Sequence, residues 1–440
     1  MSNMDSRFLT AATFLRRRAA WGLWAALGLA ISSGCSTSVE PPQFRTNIQD
    51  ILDAMDSHSP DEFRVTGREA DEDDKATKEA NIKKLELLST LTYAAFGSPD
   101  EPYVFPEAQW NAEEKKGLDL KKITMAAGPT QGFAKPKREG LKKKQLGLFR
   151  QHCAHCHGVT GDGAGPTAAF LNPQPRDYRR GIFKFKSTEF VAKPTAADLK
   201  RTLVDGIPGT AMPSFALLPG DEIEALVEYV KYLSIRGETE RNMAFDLLIQ
   251  DEEIEPTRSA VLETYLQPII DSWAEAEEAV IRPSERPETS TPEELAASIE
   301  EGRKLFFNKD AQCTKCHGPT GLGDGNDGSP ADKRLFDVWN EKKQAGDMAR
   351  WLLPKQELRP RNLRLGIYRG GRRPLDIYRR IHAGISGTPM PGAGPAPGKK
   401  ETFTPEQIWR LVDYVRSLPY ESASEPAEGE THVAAHTPSN

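Results

Sequence analysis

Four of the five cysteines stand in two C-x-x-C pairs, Cys153 with Cys156 and Cys313 with Cys316, and a histidine follows each pair, His157 or His317. Two thiols three positions apart on a turn of helix can add to the two vinyl groups of a haem, and the next residue can then ligate the iron from one face. Each pentapeptide therefore reads as a c-type haem attachment site. Together they predict two covalently bound haem c groups, with His157 and His317 as proximal ligands. A four-cysteine zinc site fits poorly, because the pairs lie 160 positions apart and zinc would leave both histidines unexplained. A thioredoxin-like redox pair leaves them unexplained too.

Both sites sit inside an internal repeat. The first copy runs through Leu148-Phe149, Cys153 to Gly158, Pro175-Arg176-Asp177, Gly181-Ile182, Gly206 to Pro213 and then a helical stretch from Ala225 to Leu233. The second follows it block by block: Leu305-Phe306, Cys313 to Gly318, Pro360-Arg361-Asn362, Gly366-Ile367, Gly384 to Pro391, then Leu411 to Leu418. Each copy carries G-I-x-G-T-x-M-P, which puts Met212 55 residues after His157 and Met390 73 after His317. The chain has eight methionines, and these are the two that coincide between the copies. A methionine is ordinarily core filler. A rigid Gly/Pro loop ahead of a final helix is no core stripe, so Met212 and Met390 are the expected distal ligands. A soft thioether opposite histidine favours ferrous iron, as an electron carrier requires. His152, His155 and His382 are expected to stay off the iron.

The elements that position these residues read as helices. Thr291-Pro-Glu-Glu294 and Thr404-Pro-Glu-Gln407 are capping boxes. The first opens a helix with Leu295, Ile299 and Leu305-Phe306 at helical spacing; the second presents Ile408, Leu411, Val412 and Val415 on one stripe. Between each haem motif and its methionine the chain is rich in Gly and Pro, which predicts loops and short helices. Strand signals are nearly absent, so the expected class is mostly α.

The chain has 440 residues, 38% apolar and 28% charged, enough for two to four domains of an ordinary folded protein. The formal charge of −6, with no long basic run, excludes an electrostatic grip on nucleic acid. Five cysteines in this arrangement are no disulfide framework.

Both repeats resemble class I c-type cytochrome domains, in an arrangement similar to tandem dihaem cytochromes of bacterial respiratory chains. The resemblance covers about 140–236 and 292–420. It implies two helical haem domains that pass single electrons between membrane-associated redox partners, with no chemistry on a substrate. It implies that Pro175 and Pro360 accept a hydrogen bond from the Nδ1 of the proximal histidine, fixing the ring. It also implies aromatic pairs between the first and last helices of each domain, Phe149 with Tyr229 and Phe306 with Tyr414. The second copy departs by an insertion of about 25 residues between His317 and Pro360, which carries Trp339, Met348 and Trp351. Two rivals stand beside the carrier: a dihaem peroxidase, which needs one haem open to peroxide, and a fixed cytochrome subunit of a quinol-oxidising or terminal-oxidase complex. The equal G-T-x-M-P loops argue against the first.

At the N-terminus, Arg16, Arg17 and Arg18 precede an apolar run from Trp21 to Ile31, the pattern of a signal peptide. Ile31-Ser32-Ser33-Gly34-Cys35 resembles the lipobox of bacterial lipoproteins, with Ser32 where that family usually has a large aliphatic residue. Cleavage before Cys35 would leave it to carry acyl chains and anchor the protein at the periplasmic face of a membrane. The expected organisation is a signal peptide over 1–34, a partly helical accessory segment over 35–139, cytochrome domains over 140–236 and 292–420, a helical connector over 237–291, and a disordered tail over 421–440. The second domain carries its insertion at about 326–357. The lysines from Lys115 to Lys144 are expected to form a solvated face.

Overall fold

The computed structural model describes residues 43–44, 72–114, 116–128, 147–308, 313–325, 356–357, 359–395 and 403–421. The signal peptide, Cys35, nearly all of the insertion with Trp339, Met348 and Trp351, and the tail beyond 421 lie outside them. The described residues are helical, and pairing is limited to isolated bridges. In chain order the α-helices of four or more residues are α1 (Glu72–Phe96), α2 (Leu120–Ala126), α3 (Leu148–His152), α4 (Ala154–His157), α5 (Ala196–Asp205), α6 (Gly220–Leu248), α7 (Gln267–Ala274), α8 (Pro292–Phe306), α9 (Cys313–His317), α10 (Pro374–Ala383) and α11 (Pro405–Ser417).

Both capping boxes form. The Thr291 side chain accepts from the Glu294 amide at 3.2 Å while Glu294 accepts from the Thr291 amide at 3.1 Å, and Thr404 with Gln407 repeats the exchange at 3.3 and 2.9 Å. The two helices they open, α8 and α11, cross closely: a Cβ on Gly302 would stand 2.0 Å from the carbonyl oxygen of Arg410. Phe306 and Tyr414 meet at that crossing with ring centroids 5.3 Å apart, and Phe149 meets Tyr229 at 5.0 Å in the first copy. Both pairs are those the resemblance implies.

One helix runs across the 236/237 boundary drawn from the repeat. Helix α6 covers 29 residues, and Gly237 sits inside it rather than ending it. The reason is packing: a Cβ there would lie 2.3 Å from Cα of Arg179, so the glycine admits a neighbouring backbone. The same helix carries the accessory segment. Leu88, Leu91, Phe96, Phe105, Leu118 and Ile123 are fully buried in one core with Tyr229 and Tyr232 of α6. The Asp119 amide donates to Glu228 at 2.9 Å, and Lys231 to the Gly117 carbonyl at 2.9 Å. Residues 72–128 thus buttress the first domain. Within the lysine-rich region, Lys116 and Lys122 pair with Glu114 and Glu224 at 2.8 and 3.1 Å.

The two repeats meet along a seam whose contacts are reciprocal. A Cβ on Gly209 would lie 3.1 Å from Ile367, and one on Gly387 3.1 Å from Ile182, its counterpart in the repeat. Arg201 on α5 pairs with Asp376 on α10, while Asp198 on α5 acts on Arg379 of α10. This is the pattern of a two-fold interface, made here by two halves of one chain. Gln356, at the end of the insertion, donates to the Leu171 carbonyl at 2.6 Å and accepts from the Gln174 amide at 2.9 Å.

Candidate haem sites

Helices α4 and α9 hold the two pentapeptides. In the first, the amides of Cys156 and His157 both donate to the Cys153 carbonyl, at 3.1 and 2.9 Å, so both cysteines and the histidine share one turn. The four cysteines are free of disulfides. Burial pushes the Cys153 thiol up to about 12 and Cys313 up to about 11, which leaves no ready thiolate for dithiol exchange at neutral pH.

Each proximal histidine is fixed by one hydrogen bond. His157 Nδ1 donates to the Arg176 carbonyl at 3.0 Å, and His317 Nδ1 to the Arg361 carbonyl at 3.1 Å. With Nδ1 protonated, Nε2 is the lone-pair nitrogen, the form that binds a metal. Burial lowers His157 to about 4 and lowers His317 as well, so protons do not compete for that nitrogen at neutral pH. Tyr178 stacks on His157 with centroids 4.6 Å apart and planes 19° apart.

The acceptors correct the expectation for Pro175 and Pro360. Both prolines are in place, but the bond goes to the carbonyl one residue later. Their own carbonyls face the loop behind the histidine: a Cβ on Gly163 would stand 2.8 Å from Pro175 O, and one on Gly323 2.5 Å from Pro360 O. Successive carbonyls of extended chain point to opposite sides, so the arginine carbonyl is the one that meets the ring.

That loop is a feature the sequence reading missed. Gly158, Gly161, Gly163 and Gly165 recur as Gly318, Gly321, Gly323 and Gly325, a spacing that could have been found by aligning the two copies further. The amides of Gly163 and Gly323 donate to the carbonyls of His157 and His317, both at 2.9 Å, with φ of 73° and 80°. A side chain at either position would be strained and would strike the proline carbonyl.

The methionine loops are built alike. The amides of Ile207 and Ile385 donate to the Met212 and Met390 carbonyls, both at 3.1 Å. The Thr210 and Thr388 hydroxyls donate to the Ile207 and Ile385 carbonyls at 2.8 Å and accept from the Met212 and Met390 amides at 3.1 and 3.2 Å. The threonine of the motif is thus the clamp that fixes the loop around the methionine. Both methionines are half-buried. His382 is engaged elsewhere, with Nε2 3.3 Å from Glu189 across the seam and its ring stacked on Tyr378.

The donor set fits a c-type haem: two free thiols on one turn, a neutral imidazole with Nε2 available, and a thioether on a fixed loop in each copy. A cytochrome c family model matches residues 147–234 and 299–419. Each of the two segments is similar to a cytochrome c domain. No curated protein matches the chain. A chain of the Kuenenia stuttgartiensis reducing HAO-like protein complex is similar at 25% identity, over 61% of this chain and 93% of that one, with a TM-score of 0.39. Among the described residues no helix is long and apolar enough to cross a membrane.

Proposed function

We propose that this chain is an exported dihaem c-type cytochrome that carries single electrons between membrane-associated redox partners of a bacterial respiratory chain. Cys153, Cys156 and His157 with Met212 would hold the first haem, and Cys313, Cys316 and His317 with Met390 the second. Haem so bound supplies an iron that cycles between Fe(II) and Fe(III). The protein's part is to fix the imidazole tautomer through Arg176 and Arg361, to keep solvent from the histidines, and to hold each thioether on a threonine-clamped loop.

The observation that carries this reading is the identity of the two methionine loops, down to the same hydrogen bonds within 0.1 Å. An enzyme working on a small substrate at haem needs one iron position it can open, and these two loops offer no such asymmetry. Export and anchoring rest on the N-terminal pattern and Cys35, with redox proteins or a membrane respiratory complex as partners.

Intact mass of the chain, made with a haem-attachment system and extracted with acid and acetone, tests the loading. Two haems retained per chain is the expected result. A chain stripped of haem by that extraction would overturn the proposal.

A further inference from the structure

Four basic side chains converge on the seam, and they are two equivalent pairs. Arg176 and Arg361 hold the same place in the two repeats, each just after the proline, and Lys184 and Arg369 hold the same place, each two residues after the Gly-Ile step. The next residues in each copy, Phe185 and Gly370, touch: a Cβ on Gly370 would lie 2.6 Å from the Phe185 ring. That contact brings Lys184 and Arg369 into each other's field. Lys184 feels the charges of Arg176 and Arg369, and Arg369 feels that of Arg361, each repelling the next.

Arg176 feels the carboxylate of its neighbour Asp177, but Arg179 already takes both oxygens of that group, at 2.9 and 2.7 Å. No carboxylate acts on Lys184 or Arg369, burial and the neighbouring cations push Lys184 down to about 8, and the buried Arg369 Nε has no hydrogen-bond partner. Arg361 spends its Nε on the Ile367 carbonyl at 2.8 Å. Cations withdrawn from water next to one another are costly unless an anion joins them. The position of the cluster says which anion. The backbone carbonyls of Arg176 and Arg361 are those that receive His157 and His317, so the cluster begins at both haem sites at once.

We propose that Arg176, Lys184, Arg361 and Arg369 form one carboxylate-binding site at the seam, shared by the propionates of both haems. The inference rests on the dihaem reading and goes beyond it: the two haems then have common counter-charges, and the same groups fasten the domains to each other. Removing a cation near a propionate leaves its negative charge less compensated, which favours Fe(III) and lowers the potential. A cation serving one haem alone would move one potential; a shared one moves both.

The test uses the full-length haem-loaded protein with Lys184→Gln, Arg369→Gln and the charge-conserving Arg369→Lys. Haem is counted first by its pyridine haemochrome. A wild type without haem overturns the dihaem reading itself, before this proposal is reached. Spectroelectrochemical titration of loaded protein should then show both haems shifted toward Fe(III) in each Gln variant, by about tenfold in the ferric-to-ferrous ratio at a fixed poise, about 59 mV for one electron. Arg369→Lys should restore most of the shift. Two loaded haems with unchanged potentials, or a shift confined to the substituted domain, would overturn the shared site. A second measurement needs only wild type. Raising phosphate at constant ionic strength should leave both potentials unchanged, and a fall with phosphate would mean that the cluster takes a free anion instead of propionates.

Discussion

Met212 and Met390 are the residues on which the carrier reading turns, and their loops are separate structures. Met390→Ala should therefore open the second iron to exogenous ligands and lower that haem's potential, leaving the first as it was, because the soft ligand favouring Fe(II) is lost. Met212→Ala should do the converse. Spectra of each variant, reduced and exposed to carbon monoxide, check this: one haem should bind it. The clamping threonines give a graded version. Thr210→Val or Thr388→Val removes two hydrogen bonds from a loop that is otherwise intact. Each should cost about 1–2 kcal/mol, read as earlier loss of the sulfur-to-iron charge-transfer band on heating. The role of these threonines was not legible in the motif, where threonine could equally have been a surface residue.

Among the elements, the helix starts and the aromatic crossings were readable because they obey local rules. A threonine followed three residues later by Glu or Gln announces a cap, and Thr404→Ala should cost about 1 kcal/mol in a thermal melt. What the sequence hid depends on distant chain. Whether Pro175 or Arg176 offers its carbonyl to His157 is decided by which of them lies against Gly163, and nothing local to the proline shows that. Whether α6 stops at Gly237 is decided by Arg179 filling the space beside it. The glycine turns after each haem motif were visible as a repeated spacing, but their reason, positive φ beneath a proline carbonyl, needed the fold. Gly163→Ala and Gly323→Ala should each destabilise by about 1–3 kcal/mol through backbone strain and the carbonyl contact. Circular dichroism melts of the holo-protein would show it as a lowered midpoint.

For the molecule as a whole, the repeat predicts autonomy and the structure qualifies it. Cys313→Ala with Cys316→Ala should remove one haem, halving the haem-to-protein ratio, and leave the spectrum of the first site unchanged. The first domain also depends on residues 72–128, which supply 11 of the 37 buried residues in the core that holds Tyr229 and Tyr232 and which the sequence showed only as a partly helical segment. The proposed attachment to the membrane rests on the other end of the chain. Cys35→Ala should abolish lipid labelling and release the protein from membranes in high salt with both haems still in place; continued sedimentation with membranes would make the apolar run from Trp21 to Ile31 the anchor. The most direct test of the carrier itself is the coordination state of both irons in wild type. Electron paramagnetic resonance of the ferric protein should show two low-spin haems and no high-spin signal, and the reduced protein should bind no carbon monoxide. A high-spin signal amounting to one haem per chain, or ready uptake of carbon monoxide at one site, would contradict two closed His/Met centres and point to an enzyme.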